Sequence, residues 1–430
     1  MQYTIKNARL IDGSIVDVVI KDGTITEIGN SLNVGEIVNA DKNLLIPGLV
    51  DLHTHLREPG REDSETVTTG SMAAAKGGFT AISAMANTFP VADTAGVVEQ
   101  VFRLGQEAGY CDVFPIGAVT QGLKGEALAE LGAMANSKAR VRMFSDDGKC
   151  VSDPLLMRRA LEYVKTFNGI IAQHAQDPAL TVGSQMNEGV VSSKLGLTGW
   201  PAVAEEAIIA RDILLAEHVG SRLHICHLTT AGGVDLLRFA KSRGINVTAE
   251  VTPHHLLLTD ELVSNYDPVF KVNPPLRTEQ DVMALRAGLA DGTIDIVGTD
   301  HAPHPTEDKD CEWQSAAFGM VGLETALSVV VKSMIETKLM SWSDLVERMS
   351  ITPARIAGYS NHGRNIAVGA PANLTIIDTS SNWIVDRNRL ASKSKNTPFQ
   401  AMSLPARVLH TFFNGNLVLK DSELVRGGSN

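Results

Sequence analysis

Histidine and aspartate recur in this chain at spacings that could hold a metal ion. His53-Thr54-His55 sets two imidazoles two residues apart, so in an extended strand they share one face. Asp146-Asp147-Gly148, His174, His227 and Asp300-His301-Ala302-Pro303-His304 follow. Imidazoles and carboxylates together suit a borderline ion such as Zn2+. Such an ion lowers the pKa of bound water and polarises a carbonyl, the two needs of amide hydrolysis. A neighbouring carboxylate would take the water's proton and return it to the leaving nitrogen, and Asp300 is the natural candidate.

These residues can act together only if the fold gathers them. Strand-length apolar runs stand at Leu49–Leu52, Phe79–Met85, Val113–Val119, Val141–Phe144, Gly169–Ala172, Arg222–Cys226, Ile245–Val251 and Thr293–Val297. Helix-like stretches follow them at Ser64–Lys76, Gly96–Ala108, Glu126–Ala135, Pro154–Thr166, Val203–His218, Gly233–Ser242, Glu279–Leu289 and Gly322–Ile335. This alternation predicts an α/β fold, a closed (β/α)8 TIM barrel over residues 47–365. An open doubly wound sheet would want a GxGxxG turn after its first strand, and none is there. Barrel enzymes carry their chemistry at the C-terminal strand ends. His53, His55, Asn87, Asp147, His174, His227 and Asp300 all fall at such ends. Residues 1–46 and 366–430 read instead as short strands with tight turns at Asp12-Gly13, Asp22-Gly23 and Asn414-Gly415. They predict one small β-sandwich-like domain built from both termini.

The composition narrows the class. The 430 residues carry 38 Lys+Arg against 49 Asp+Glu, a net charge of −11. That argues against a nucleic-acid binder with a broad basic field, while leaving room for local positive charge around a small anion. The 4 cysteines form no CxxC, which argues against a disulfide framework and a cysteine-rich zinc module. The first residues lack a signal-peptide layout, and no apolar run reaches the ~20 residues of a membrane span. A cytoplasmic enzyme with no membrane partner is expected.

Pro47-Gly48-Leu49-Val50-Asp51-Leu52-His53-Thr54-His55-Leu56-Arg57-Glu58-Pro59-Gly60 resembles the opening signature of the dihydroorotases of the amidohydrolase superfamily. The likeness continues through Met85–Thr88, Phe144–Gly148, Ala172–His174, His224–His227 and Thr252–Leu256. It runs on through Asn273–Arg277, Thr299–His304, Phe318-Gly319 and Ser394–Phe399. It spans nearly the whole chain in order and looks most like the bacterial class I enzymes. The resemblance implies reversible closure of N-carbamoyl-L-aspartate to L-dihydroorotate in pyrimidine biosynthesis. It implies that His53 and His55 bind one zinc with Asp300 as ligand and proton shuttle, and that His174 and His227 bind a second. It implies that Asp147 bridges the pair, that Arg57 and Asn87 hold the substrate carboxylate, and that Asn273, His304 and the Phe318-Gly319 backbone contact the substrate. Many relatives bridge their metals with a carboxylated lysine. Here Asp146-Asp147 stands at that strand end and Lys149 lies past the glycine, so one or two zincs remain open, with two favoured. A homo-oligomer, expected as a dimer, and association with aspartate carbamoyltransferase belong to the same picture.

Two other classes compete with this reading. A hydantoinase, dihydropyrimidinase or allantoinase would need no cation for a ring carboxylate. A non-catalytic dihydroorotase-like subunit should have lost metal ligands. Asp146 is expected to orient its turn. Strand alternation should send His224 and Cys226 away from the side His227 faces. His254 or His255 could hydrogen-bond a ligand residue, and the role of His301 is open. His218, His362 and His410 read as solvent-facing or structural. Pro303–Trp313 is either a solvated loop or a flap over the substrate.

Overall fold

The computed structural model describes residues 1–425, so the last five residues of the expected C-terminal segment lie outside the described residues. The chain opens with strands β1 (Gln2–Arg9), β2 (Ile15–Lys21), β3 (Thr24–Gly29), β4 (Glu36–Asn39) and β5 (Leu44–Pro47). The barrel strands are β6 (Leu49–Thr54), β7 (Phe79–Ala84), β8 (Asp112–Pro115), β9 (Met143–Phe144) and β10 (Ile170–Gln173). A two-strand ribbon, β11 (Met186–Asn187) with β12 (Gly199–Trp200), interrupts them before β13 (Arg222–Ile225), β14 (Val247–Val251) and β15 (Ile296–Val297). The C-terminal strands are β16 (Leu374–Ile384), β17 (Ser403–Phe413), β18 (Asn416–Lys420) and β19 (Glu423–Leu424).

One sheet runs through both termini in the order β19-β18-β17-β16-β5-β1-β2-β3, with β4 on β1. Its central seam pairs β5 antiparallel to β16, Leu44 opposite Ile377 and Pro47 opposite Leu374. Asn414-Gly415 joins β17 to β18 with φ of 47° and 75°, the both-positive pair of a type I′ hairpin. Tyr3, Ile5, Val18, Ile20, Leu45, Leu374 and Phe412 form the sheet's own core.

The barrel strands are parallel, in runs β6-β7-β8 and β9-β10-β13-β14-β15. Bridges between Gly117 and Phe144 and between Thr54 and His301 close the ring. One apolar layer separates strands from helices and includes Ala73, Val98, Leu161, Ile209, Leu237 and Leu285. A second fills the barrel interior with Val50, Leu52, Ala81, Ile170, Ala172, Cys226 and Ile296. A fully buried side chain of this kind contributes about 1.5–3 kcal/mol.

Two expected helices are shorter than their apolar spacing predicts. The stretch from Glu126 is helical only over Leu131–Asn136, because Leu128 and Ala129 pair with the backbone of Thr120 and Val119 instead. The stretch from Gly322 becomes helical at Ala326, since the Gly322 N–H turns to donate to His301 Nδ1.

Candidate metal centre

Each element delivers its side chain to the barrel mouth for a local reason. The pairing of β6 with β7 shifts register between Asp51 and Thr54. Val50 and Leu52 pack into the barrel interior, and after this shift His53 and His55 turn to the same side. His174 follows β10 in phase with the inward-facing Ile170 and Ala172. His227 has φ of 28° and Asp300 φ of 46°, so both leave the extended conformation just past their strands. Asp146 accepts from the N–H groups of Val119 and Thr120 and from the Thr120 hydroxyl, which fixes the turn and frees Asp147.

The result is a buried cluster, with His53, His55, Asp147, His174, His227 and Asp300 each 4% exposed or less. Asp147 spans it. Its Oδ2 lies 3.3 Å from His53 Nε2 and 3.2 Å from His55 Nε2. Its Oδ1 lies 3.2 Å from His174 Nδ1 and 2.9 Å from His227 Nε2. Asp300 Oδ1 sits on the first half only, 3.1 Å from His55 Nε2 and 3.5 Å from His53 Nε2. Two ligand sets follow, His53–His55–Asp147–Asp300 and Asp147–His174–His227, each with donor atoms within 4.8 Å of one another.

The donor set fits metal ions. On three of the four imidazoles the other ring nitrogen already faces an oxygen acceptor. His53 Nδ1 meets Glu250, His55 Nδ1 lies 2.9 Å from Asn87 Oδ1, and His174 Nε2 lies 2.8 Å from Gln176 Oε1. These contacts assign the protons outward and leave lone pairs pointing inward. His53 Nε2 is buried with no hydrogen-bond partner, and His174 Nδ1 faces His227 Nε2 at 3.0 Å. An orphaned buried nitrogen and two facing imidazole nitrogens are what a cation between them would relieve. Burial alone would raise the carboxylates, but positive charge at the imidazoles, carried as protons until a cation takes their place, outweighs it. It holds Asp147 well below the usual range and Asp300 down to about 2. Lys149 points away, its Nζ donating to Leu123 O, and supplies no bridge.

The substrate-side residues form a rim. Arg57 has φ of 63° and donates from Nε to Pro303 O, with Nη2 3.3 Å from His304 Nε2. Burial lowers Arg57 to about 10, which leaves it cationic at neutral pH. Burial, and then Arg57, push His304 down to about 3, so it is a neutral ring whose Nε2 faces Phe318 O at 2.8 Å. Asn273 Nδ2 reaches Gln176 Oε1 at 3.4 Å, while its buried Oδ1 has no partner. Gly319 has φ of 147°, and a Cβ there would come within 2.8 Å of His304 Nε2, so only glycine leaves this wall open. The Ser394–Phe399 motif acts here through Asn396. That residue donates to Ala302 O and Gly319 O and accepts from the His304 N–H, tying the rim together.

Several expectations change. Alternation holds through Cys226, so His224 and Cys226 share one phase, and the φ of His227 breaks it to bring that ring to the same side. Cys226 therefore faces His53 and Glu250 rather than turning away, with its thiol pushed up to about 12 by burial. His301 has a structural contact set, Gly322 N–H on Nδ1 and Glu65 near Nε2 at 3.4 Å. His255 is committed to Thr252 Oγ1 and the carbonyls of Pro274 and Pro275, not to a ligand residue. The Pro303–Trp313 segment is not simply solvated. Lys309 and Trp313 are buried, and Lys309 Nζ donates to Lys271 O and Ala317 O while Lys271 Nζ donates to Trp313 O. Sequence reasoning missed Glu250, Gln176 and this lysine pair. Glu250 ends the inward phase of β14 two residues before Thr252-Pro253-His254-His255, the one signal that could have marked it.

A family model described as "Dihydro-orotase-like" matches residues 42–232. The dihydroorotase of Streptomyces coelicolor is 66% identical over 98% of this chain and 99% of its own length. That of Leifsonia xyli is 63% identical over 98% and 97%, and that of Mycobacterium tuberculosis 53% over 96% and 97%. Among solved structures, an L-hydantoinase (dihydropyrimidinase) from Arthrobacter aurescens superimposes with a TM-score of 0.88 at 26% identity, covering 98% of this chain and 97% of that one. A dihydropyrimidinase from Brevibacillus agri, at 21% identity, gives 0.83 over 99% and 96% and shares the fold.

Proposed function

The chain belongs to the dihydroorotase family, hydrolases of a cyclic amide that interconvert N-carbamoyl-L-aspartate and L-dihydroorotate in pyrimidine biosynthesis, and on that premise we propose how its own residues run the reaction. The observation that carries the reading is Asp147, one carboxylate shared oxygen by oxygen between two pairs of imidazoles. His53, His55, Asp147 and Asp300 would hold one zinc, and Asp147, His174 and His227 a second. Zinc bound there supplies Lewis acidity and lowers the pKa of water.

In the hydrolytic direction Asp300 starts ionised and accepts a proton from the attacking water as its oxygen bonds the ring carbonyl carbon. It then delivers that proton to the ring nitrogen as the C–N bond breaks. Asn87 orients His55 through Oδ1 and keeps its amide hydrogens for the substrate carboxylate. Arg57 offers its guanidinium fork to the same carboxylate beside the neutral His304 ring. The free Oδ1 of Asn273 suits a ring N–H, and Phe318-Gly319 walls the ring.

The test is an assay of both compounds on zinc-loaded protein. Ring closure consumes one proton, so the equilibrium ratio of dihydroorotate to carbamoyl aspartate should fall about tenfold per pH unit of rise. A ratio that ignores pH would rule out this stoichiometry. The hydantoinase likeness gives a second reading some support, and Arg57 separates the two. Arg57→Met should reduce kcat/KM for dihydroorotate about 10²-fold, the loss of one partner of a buried charge pair. An uncharged ring such as hydantoin should show no comparable loss. If the neutral ring were the better substrate and the Arg57→Met substitution left both rates unchanged, the cyclic-amidase reading would stand instead. The complete ligand set argues against a non-catalytic subunit. No helix of the described residues is long and apolar enough to cross a membrane. Four free cysteines suit a reducing cytoplasm. We retain a homodimer and contact with aspartate carbamoyltransferase as family-based expectations, to be read from sedimentation of the protein alone and mixed with that enzyme.

A further inference from the structure

We propose that Glu250 is a positioning residue that sets both halves of the metal centre against each other. It rests on the metal-centre reading above. Glu250 is 1% exposed and ends the inward-facing phase of β14. A single oxygen, Oε1, accepts from His53 Nδ1 and, at 3.2 Å, from the backbone N–H of His227. His53 belongs to one ligand set and His227 to the other. The second oxygen, Oε2, lies 3.2 Å from His224 Nε2, and His224 Nδ1 is anchored 2.8 Å from Thr248 Oγ1. The carboxylate is thereby fixed from behind while it holds a ring in front and a backbone to the side.

Two consequences follow from this geometry. Acceptance at Nδ1 selects the His53 tautomer whose Nε2 lone pair faces Asp147 and Asp300. Acceptance from the His227 N–H stabilises a backbone turned to φ of 28°, the turn that brings this imidazole inward. The surroundings are built to admit the group. A Cβ at Gly298 would come within 2.5 Å of Glu250 Oε2, so glycine on the neighbouring strand end keeps the carboxylate's seat open.

The test compares full-length wild type, Glu250→Gln and Glu250→Leu, each stripped and reloaded with zinc or cobalt. Gln keeps an oxygen for His53 and His227 without the charge, whereas Leu keeps neither. Metal release to a chelating dye should quicken about 10-fold in Gln and toward 100-fold in Leu. The visible absorption of the cobalt protein should change in both. kcat should fall in the same order with KM held within about twofold, since no substrate contact is touched. The metal-free Gln variant should melt with metal-free wild type, a match that separates positioning from general destabilisation. Variants that release metal at the wild-type rate with an unchanged cobalt spectrum would overturn the proposal while leaving the metal centre intact. A metal-free Gln variant melting well below wild type would also overturn it, by making the effect one of folding. A wild type that takes up no metal would overturn both the proposal and the reading beneath it.

Discussion

Asp300→Asn should lower kcat by about 10²–10⁴-fold in both directions, the usual worth of a positioned proton carrier, with KM little changed. Asparagine is the informative replacement for two reasons. Asp300 has φ of 46°, a left-handed conformation that Asn tolerates nearly as well as Asp, so the backbone stays put. An amide also keeps an oxygen 3.1 Å from His55 Nε2, where alanine would leave a void. What is lost is the proton acceptor. Burial alone would favour a neutral acid, but positive charge at His55 and His53, or on a cation held between them, keeps the carboxylate ionised, so a base is ready throughout the neutral range. The rim of Arg57, Asn87, Asn273 and His304 is untouched, which is why KM should hold. The equal loss in the two directions is required because the variant cannot move the equilibrium. Parallel assays of ring opening and closure check both points, and an Asp300→Asn enzyme within tenfold of wild type would remove Asp300 from the proton transfer.

Much of this was readable in the residues. The barrel strands are apolar runs with β-branched residues, and their polar ends stand out because a carboxylate or imidazole after such a run has few structural uses. Asn414-Gly415 could be read as a hairpin from two residues alone, because few pairs tolerate two positive φ angles. Failures came where geometry depends on a partner far along the chain. Alternation cannot reveal the register shift in β6, nor the φ of His227 that puts Cys226 and His227 on one side against the alternating expectation. Glu250 lies 197 residues from His53, and nothing local to either residue announces their contact. The lysine pair was hidden for another reason. Lys309 stands in a charged segment and Lys271 between apolar neighbours, and the carbonyls of Trp313, Gln314, Ala317 and Lys271 itself account for their burial. Composition reads such residues as solvated, and the fold overrides it by satisfying their N–H groups.

Asp147→Ala should empty the centre, and with it the activity. Each carboxylate oxygen serves a different pair of imidazoles, so one substitution removes a ligand from both sets at once. The sets are not equally robust. The first would retain His53, His55 and Asp300, a three-residue site that could still hold zinc weakly. The second would be left with His174 and His227 facing each other and no carboxylate. Metal content measured on the purified variant should therefore fall below one ion per chain, and the second equivalent should not return with excess zinc. kcat should drop by about 10³-fold or more, since several kcal/mol of charge stabilisation go with the ions and each 1.4 kcal/mol is tenfold. Asp147→Asn should behave nearly as badly, because its amide nitrogen would present hydrogens to one pair of imidazole lone pairs. The order of loss is the discriminating feature. If the Asp147→Ala variant kept two ions, or lost only the ion at His53 and His55, Asp147 would not be a bridge, and the two imidazole pairs would have to be treated as separate sites.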